Sequence, residues 1–414
     1  MDVSLRGGAR SGTVCAPASK SAAHRMLLCA ALGERAAYVR CGALSRDVAA
    51  TVECLRSLGA EIEAARPGEL CVTPLRGTPK GVCVLPCAQS ASTLRFLLPV
   101  AGSLGARAVF AREGSLSRRP VEPLLSVLRL HGMNIREDGE FLRCEGRLLA
   151  GSYEIDGGVS SQFATGLLFA LTILGGSTLC LRGEVCSAPY LALTEDALAL
   201  AGVPPMKQGF LYQTGASGRF QLPERVACEG DWSNAAPFLC MGALSEQGIT
   251  VNGLRMDSRQ GDRAVLELLC RCGARVETDG DAVTIRRGEL HGFFFDAEQT
   301  PDLVPAAASF AACIEGETRI VHAARLRMKE SDRLSSTAAL LSALGAEVTV
   351  LADGMVIRGG GLRGGAADAA GDHRIAMAAA VAACGCAETV TLRGAECVEK
   401  SYPAFWEDVS CLSM

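Results

Sequence analysis

The sequence predicts a mixed α/β fold of six repeats, three in each of two halves, and three observations carry that prediction. First, the stretch Pro17-Ala18-Ser19-Lys20-Ser21-Ala22-Ala23-His24-Arg25 joins a short apolar strand (Thr13, Val14, Cys15) to an apolar helical run from Met26 to Leu32. Second, five later stretches echo it. With Ser21, Ser92, Ser161, Ser233, Asp302 and His373 as markers, the steps are 71, 69, 72, 69 and 71 residues. Third, a glycine recurs in the same phase, in Leu58-Gly59-Ala60, His131-Gly132-Met133, Ala201-Gly202-Val203, Cys272-Gly273-Ala274 and Leu344-Gly345-Ala346. Glycine suits a helix C-terminus because it enters the left-handed region without a Cβ clash. Self-similarity at a fixed period is a stronger fold signal than any single motif.

Each repeat reads as strand, polar junction, helix, strand, helix and two strands, a βαβαββ order. The closing pair alternates apolar and polar residues around a turn, as in Ala346–Val350, Ala352-Asp353-Gly354 and Met355–Arg358. Six junctions but five glycines mean that the chain ends within the sixth repeat. Its missing strands are expected from the N-terminal segment, Val3-Ser4-Leu5-Arg6 and Thr13-Val14-Cys15, which brings the termini together. The chain crosses between halves near residues 18–20 and 226–230, so the expected domains are 1–19 with 229–414, and 20–228. Gly359-Gly360-Gly361 is expected in a hairpin connection; without a strand–GxGxxG–helix setting it reads as a turn, not a nucleotide loop.

At 414 residues the chain can bury two cores, and 49% apolar with only 5% aromatic content makes them Leu/Val/Ala cores. A net charge of −4 and the lack of a basic run argue against a nucleic-acid partner. The nineteen cysteines, among them Cys29, Cys54, Cys180, Cys240 and Cys313, lie in apolar runs with no C-x-x-C pair. They read as reduced core residues of a cytoplasmic protein. His24, His131, His291, His322 and His373 have no ligand spacing, so no metal is expected. The start reads directly as strand, without a signal segment. Within the uncharged run 157–181, only Phe163–Leu174 is strongly apolar, the length of a buried helix and too short for a membrane span.

The junctions carry the chemistry. The first N–H groups of a helix have no internal partner and the dipole is positive there, so a junction bearing Lys20, two hydroxyls and Arg25 attracts anions. A simple N-cap by Ser19 or Ser21 explains one junction equally well; repetition argues for more. Three basic turns add to it: Leu116-Ser117-Arg118-Arg119-Pro120, the stretch Arg325–Arg333, and Glu399-Lys400-Ser401-Tyr402-Pro403. Singly, each reads as a solvated charged face. If loops of two facing halves point inward, Lys20, Arg25, Arg119, Lys329, Arg333, Arg374 and Lys400 gather in one place. Such a set calls for a ligand rich in phosphate and carboxylate. Asp302 and Glu330 then stand among cations as acid/base candidates.

These residues resemble the enolpyruvyl transferase family of 5-enolpyruvylshikimate-3-phosphate synthase. The resemblance spans essentially the whole chain. It rests on Lys20-Ser21 with Arg25, Arg119-Pro120, Ser160-Ser161-Gln162, Ser187 with Pro189-Tyr190, Glu229-Gly230-Asp231, Pro301-Asp302, Lys329-Glu330-Ser331-Asp332-Arg333, Asp372-His373-Arg374 and Lys400-Ser401-Tyr402-Pro403. It implies a two-domain inside-out α/β barrel with three βαβαββ repeats per domain and the active site in the interdomain cleft. It also implies transfer of the enolpyruvyl group of phosphoenolpyruvate to the 5-hydroxyl of shikimate 3-phosphate by a monomer, with no cofactor or metal. By the same resemblance Asp302 accepts the hydroxyl proton, Glu330 handles the proton at C3, and Lys20 helps the departing phosphate. Shikimate 3-phosphate falls to Lys20, Ser21, Arg25, Ser160, Ser161, Gln162, Ser187, Asp302 and Lys329, with Tyr190 lining its pocket. Phosphoenolpyruvate falls to Lys20, Ala91, Arg119, Gln162, Arg333, Arg374 and Lys400, and His373 supports the intermediate.

One departure stands out. The family usually has Gly-x-[Ser/Ala]-Gly where this chain has Ala88-Gln89-Ser90-Ala91. A methyl at Ala91 is expected to crowd phosphoenolpyruvate, and glyphosate in its place. Three other readings remain. A UDP-N-acetylglucosamine enolpyruvyl transferase usually carries a cysteine before the Arg119-Pro120 position, and residues 111–120 have none. A non-catalytic sugar-phosphate binder would not need Asp302 and Glu330. An RNA 3′-end cyclase would have a basic excess.

Overall fold

The computed structural model describes residues 1–216 and 218–414. It divides into two units, Met1–Pro17 with Glu229–Met414, and Ala18–Cys228. In the second unit three helices, Lys20–Ala31, Ala91–Ser103 and Ser161–Leu174, are largely buried. Their counterparts in the first unit are Trp232–Ala243, Val304–Cys313 and His373–Gly385. A helix that is apolar all round belongs in a core. Here sheets form the outer layer, the reverse of an ordinary α/β sandwich.

Each unit carries three small sheets of one design. In the sheet of Val82–Pro86, Arg107–Ala111, Phe141–Gly146 and Met133–Asp138, the first two strands run parallel and the other pairs antiparallel. The parallel pair is joined through a buried helix, because parallel neighbours need a crossover. The antiparallel pair is a hairpin whose inner face alternates into the core. The glycines at the ends of the second helices, Gly59, Gly132, Gly202, Gly273 and Gly345, all have positive φ, between 75° and 109°.

The crossing points are where the fold departs from the sequence reading. Asp2–Leu5 does complete the sixth repeat, antiparallel to Val390–Arg393. Gly12–Cys15 does not; it pairs in parallel with Ile249–Asn252 and opens the fourth repeat. In the same way Arg225–Ala227 pairs with Ala37–Arg40 and opens the first. Each strand before a crossing stays in its own unit, while the helix after it belongs to the other. A linear period assigns the strand to the wrong repeat. The sixth sheet therefore has three strands where the others have four. The termini meet in the first unit, where Ser11 and Ser413 exchange backbone hydrogen bonds of 2.8 and 2.9 Å.

Gly359-Gly360-Gly361 also sits differently from expectation. The hairpin of Glu347–Leu351 and Gly354–Gly359 turns at Asp353, and the glycines lead out of it toward the next sheet. A Cβ on Gly359 would lie 2.0 Å from the Ile314 carbonyl oxygen, so close backbone approach explains that glycine. Gly166 does the same between buried helices. A Cβ there would stand 2.2 Å from the Arg95 carbonyl oxygen and 3.1 Å from Phe96 Cα. Gly166→Ala is therefore expected to destabilise the chain by about 1–3 kcal/mol, the usual range for overpacking. Urea unfolding measures it, and an unchanged midpoint would contradict the close helix contact.

Candidate active site

The six junctions become helix starts, and five are closed by a side-chain cap. Ser19, Ser90, Ser160, Asp231 and Asp372 accept hydrogen bonds from Ala22, Thr93, Gln162, Asn234 and Arg374 N–H groups. The fifth in chain order, Thr300-Pro301-Asp302, has no side-chain cap and enters its helix through a 3-10 turn. Capping satisfies part of each helix start and leaves the neighbouring side chains to do something else.

In the Ala18–Cys228 unit those side chains are wired across three junctions. Arg25 is buried and donates to Thr194 Oγ1 (2.9 Å), Thr165 Oγ1 (3.3 Å) and the carbonyls of Ser21 (2.7 Å) and Tyr190 (2.8 Å). Its guanidinium also lies 5.2 Å from the centre of the Phe96 ring. All these partners are neutral, and burial lowers the Arg25 pKa to about 10. A cation held this way favours an incoming anion. Arg95 donates to Gln162 Oε1 (2.8 Å), Ser160 Oγ (3.4 Å) and the Pro120 carbonyl (2.7 Å), so it sets the position of Gln162 and of the turn carrying Arg119. Gln162 Nε2 donates to Ser92 Oγ at 3.0 Å. Lys20 Nζ pairs with Asp47 at 2.8 Å. Ser161 is buried, Ser21 and Arg119 are half-buried, and Ser187 starts its helix in the left-handed region at φ 52°. Ala88 is also left-handed, at φ 47°, and Ala91 is the buried first residue of its helix.

The other unit holds a constellation of different character. Arg333 is fully buried and donates Nε to Asp372 (2.8 Å), Nη1 to Asp302 (2.8 Å) and Nη2 to Glu330 (2.9 Å). Lys329 Nζ donates to the same Asp302 oxygen at 3.0 Å, and Lys400 Nζ stands 4.0 Å from Glu330. Arg374 donates Nη1 to the Ser233 carbonyl and, at 3.3 Å, to Asn234 Oδ1. His373 lies 3.5 Å from Asp372. Burial alone would raise the Asp302 pKa, but Lys329, Arg333 and Arg374 outweigh it and hold that carboxyl well below the usual range. Asp302 is therefore an anion at any physiological pH and acts as an acceptor.

The sequence named every cation here except Arg95; of the carboxylates that orient them, it missed Asp47 and quoted Asp372 within a motif without giving it a role. A lone arginine in the apolar run Leu94-Arg95-Phe96-Leu97 was the available signal. Asp47 reads only as an acidic residue in a helix's first turn. The fold also brings Asp296, Glu298 and His322 within 4.8 Å of one another, a grouping that spacing along the chain did not show. There His322 Nδ1 meets Asp296 at 2.9 Å, and that carboxylate raises the imidazole pKa.

Comparison with known proteins gives a consistent result. The family model described as EPSP synthase (3-phosphoshikimate 1-carboxyvinyltransferase) matches residues 6–409. The 3-phosphoshikimate 1-carboxyvinyltransferase of Clostridium kluyveri is 39% identical over 99% of this chain and 97% of its own length. That of Clostridium acetobutylicum is 37% identical over 97% and 95%. Among solved structures, EPSP synthase from Acinetobacter baumannii superposes with a TM-score of 0.82 at 25% identity, covering 100% of both chains. The enolpyruvyl transferase NikO from Streptomyces tendae, at 19% identity and a TM-score of 0.77 over 98% and 96% of the two chains, shares the fold.

The depressed Asp302 pKa makes a prediction about acid stability. Its folded value lies below its unfolded one, so its contribution is present above the ordinary aspartate range and is lost as pH falls through and below it. Asp302→Asn removes that dependence. Between pH 5 and pH 3 the variant should lose less stability in urea unfolding than the parent; an equal or steeper loss would contradict the ionised assignment.

Proposed function

The chain belongs to the EPSP synthase (3-phosphoshikimate 1-carboxyvinyltransferase) family, and from that premise we propose that it joins phosphoenolpyruvate to shikimate 3-phosphate. The 5-hydroxyl oxygen adds to C2 of phosphoenolpyruvate while C3 takes a proton. The tetrahedral adduct then loses inorganic phosphate and the C3 proton, leaving the enolpyruvyl ether. Two substrates balance this reaction with no further reagent.

The observation that supports the reading most directly is Asp302, ionised by Lys329 and Arg333, with Glu330 on the same guanidinium. Asp302 is suited to accept from the attacking hydroxyl, and Glu330 to give and retake the C3 proton. Lys20 assists the phosphate that leaves. Arg25, with its neutral partners, together with Ser21, Ser160, Ser161, Ser187 and Lys329, holds shikimate 3-phosphate, and Gln162 bridges to phosphoenolpyruvate. Arg119, Arg333, Arg374 and Lys400 supply positive charge around the smaller substrate, Arg333 doing so from behind the acids that it grips. Preorganised charges of this kind stabilise a transition state because they need no reorientation as charge develops. The reaction is proposed for a monomer. No helix among the described residues is long and apolar enough to cross a membrane, and the free, mostly buried cysteines support a reducing, cytoplasmic setting.

Mixing shikimate 3-phosphate with phosphoenolpyruvate should release inorganic phosphate, while UDP-N-acetylglucosamine in place of the shikimate should release none. The opposite preference would overturn the reading. Glu330→Gln should lower kcat by about 10²–10⁴-fold, the usual range for a proton-transfer group, and a smaller loss would remove Glu330 from that step. Ala91→Gly should increase inhibition by glyphosate, by removing a methyl from a buried helix start. An unchanged inhibition curve would show that the methyl does not crowd the ligand.

A further inference from the structure

The fourth junction, Gly230-Asp231-Trp232-Ser233, has no substrate assigned to it, yet it is tied by four side-chain hydrogen bonds. The segment Gln260-Gly261-Asp262 folds over its helix start. Gln260 Oε1 accepts from Trp232 N at 3.1 Å, and Gln260 Nε2 donates to the Gly230 carbonyl at 2.8 Å. Asp262 accepts from the Ser233 hydroxyl. The carbonyl of that same Ser233 receives Arg374 Nη1, and Asn234 Oδ1 receives it too, at 3.3 Å. Asp262 and Asn234 are 0% exposed, Arg374 5% and Ser233 8%, so the relay runs through the interior. Arg374 Nε finds no acceptor among the described residues.

A carboxylate receives the Ser233 hydroxyl more strongly than a neutral acceptor would, and burying a charge to gain that bond needs a reason. We propose that Asp262 is a positioning residue of the reaction, which acts through Ser233 to fix the angle at which Arg374 presents its guanidinium to an anionic substrate. This rests on the function proposed above. Asp262 touches no substrate itself; its effect passes through one hydroxyl and one carbonyl.

The electrostatics agree with that geometry. Burial raises the Asp262 pKa to about 6, Asp302 and Asp231 push it further the same way, and the Ser233 hydrogen bond and Arg374 oppose them. From its own turn Arg263 looks elsewhere, donating Nη1 to the Met256 carbonyl at 3.0 Å. A folded pKa above the unfolded one means that the stability Asp262 adds is complete in acid and is lost as pH rises through about 6. At neutral pH it is a destabilising charge, and groups of that kind concentrate where function needs them.

Four variants test the proposal: Asp262→Asn, Ser233→Ala, Arg374→Ala, and Asp262→Asn combined with Arg374→Ala. Relative to the parent, the Asp262→Asn Tm should rise as pH goes from 5 to 8, since the buried charge is gone. Its KM for phosphoenolpyruvate should rise about tenfold while kcat stays within about threefold, the pattern of weakened ground-state binding. Its pH profile should lose the inflection near pH 6. Ser233→Ala should raise KM similarly while its Tm still falls with rising pH, the fall moved to higher pH because the hydrogen bond that lowers the Asp262 pKa is gone. In the Arg374→Ala background, Asp262→Asn should change KM by less than about twofold, because residues that act as one unit are not additive. Parallel loss of Tm and activity at every pH, an unchanged KM, or additive effects in the double variant would each overturn the proposal. Calorimetry with inorganic phosphate keeps the two readings apart. A parent that turns nothing over defeats the assigned reaction, whereas phosphate binding left undiminished by Asp262→Asn defeats the positioning role.

Discussion

One buried guanidinium organises the half of the molecule that carries the acids. Arg333 lies out of solvent and spends its three nitrogens on Asp302, Glu330 and Asp372. Burial would lower its pKa, and the three carboxylates together raise it instead, so the cation is secure. Each carboxylate enters from a different part of the fold: the 3-10 turn before Val304–Cys313, the loop before Arg333–Ala343, and the cap of His373–Gly385. Removing one member of such a cluster leaves the others buried and uncompensated, which typically costs about 3–5 kcal/mol. The packing of two helix starts and the protonation state of Asp302 therefore depend on the same contact.

The second unit is built on the opposite principle. Arg25 is buried against hydroxyls, carbonyls and an aromatic ring, and Arg95 is committed to Gln162, Ser160 and a backbone carbonyl. Lys20 is paired in an ion bridge with Asp47. One constellation thus brings cations already matched to carboxylates, and the other brings Arg25, buried among neutral partners. The first suits proton movement between fixed acids; the second suits the capture of a phosphate or carboxylate from solvent, where a buried cation without a counter-ion has most to gain.

Much of this was legible before any coordinates. Capping residues announce helix starts locally, so the junctions at Ser19, Ser90, Ser160, Asp231 and Asp372 could be read from their neighbours alone. The five helix-end glycines were legible for the same reason: left-handed backbone favours one residue type. What the chain hid is non-local. Nothing near Gly12–Cys15 says that it pairs with Ile249–Asn252, more than two hundred residues away, and the repeat period points elsewhere. Arg333 showed as a charge in a charged run, the usual mark of a solvated surface, yet it is among the largest fully buried side chains. Asp262 follows Gln260-Gly261 and has the appearance of a turn. Ala88 is the reverse case, a place where local rules fail: an alanine adopts φ 47°, a conformation that ordinarily selects glycine.

The ionisation of Asp302 is the claim on which both the site's geometry and its chemistry converge, and carbon-13 NMR of its side-chain carboxyl reads it directly. With Lys329 and Arg333 sharing one of its oxygens, the resonance should stay at its ionised position as the pH is lowered through 4, moving only below the ordinary aspartate value of about 3.9. A midpoint at or above that value would mean that the cations do not govern Asp302, and the site as described here would have no fixed acceptor.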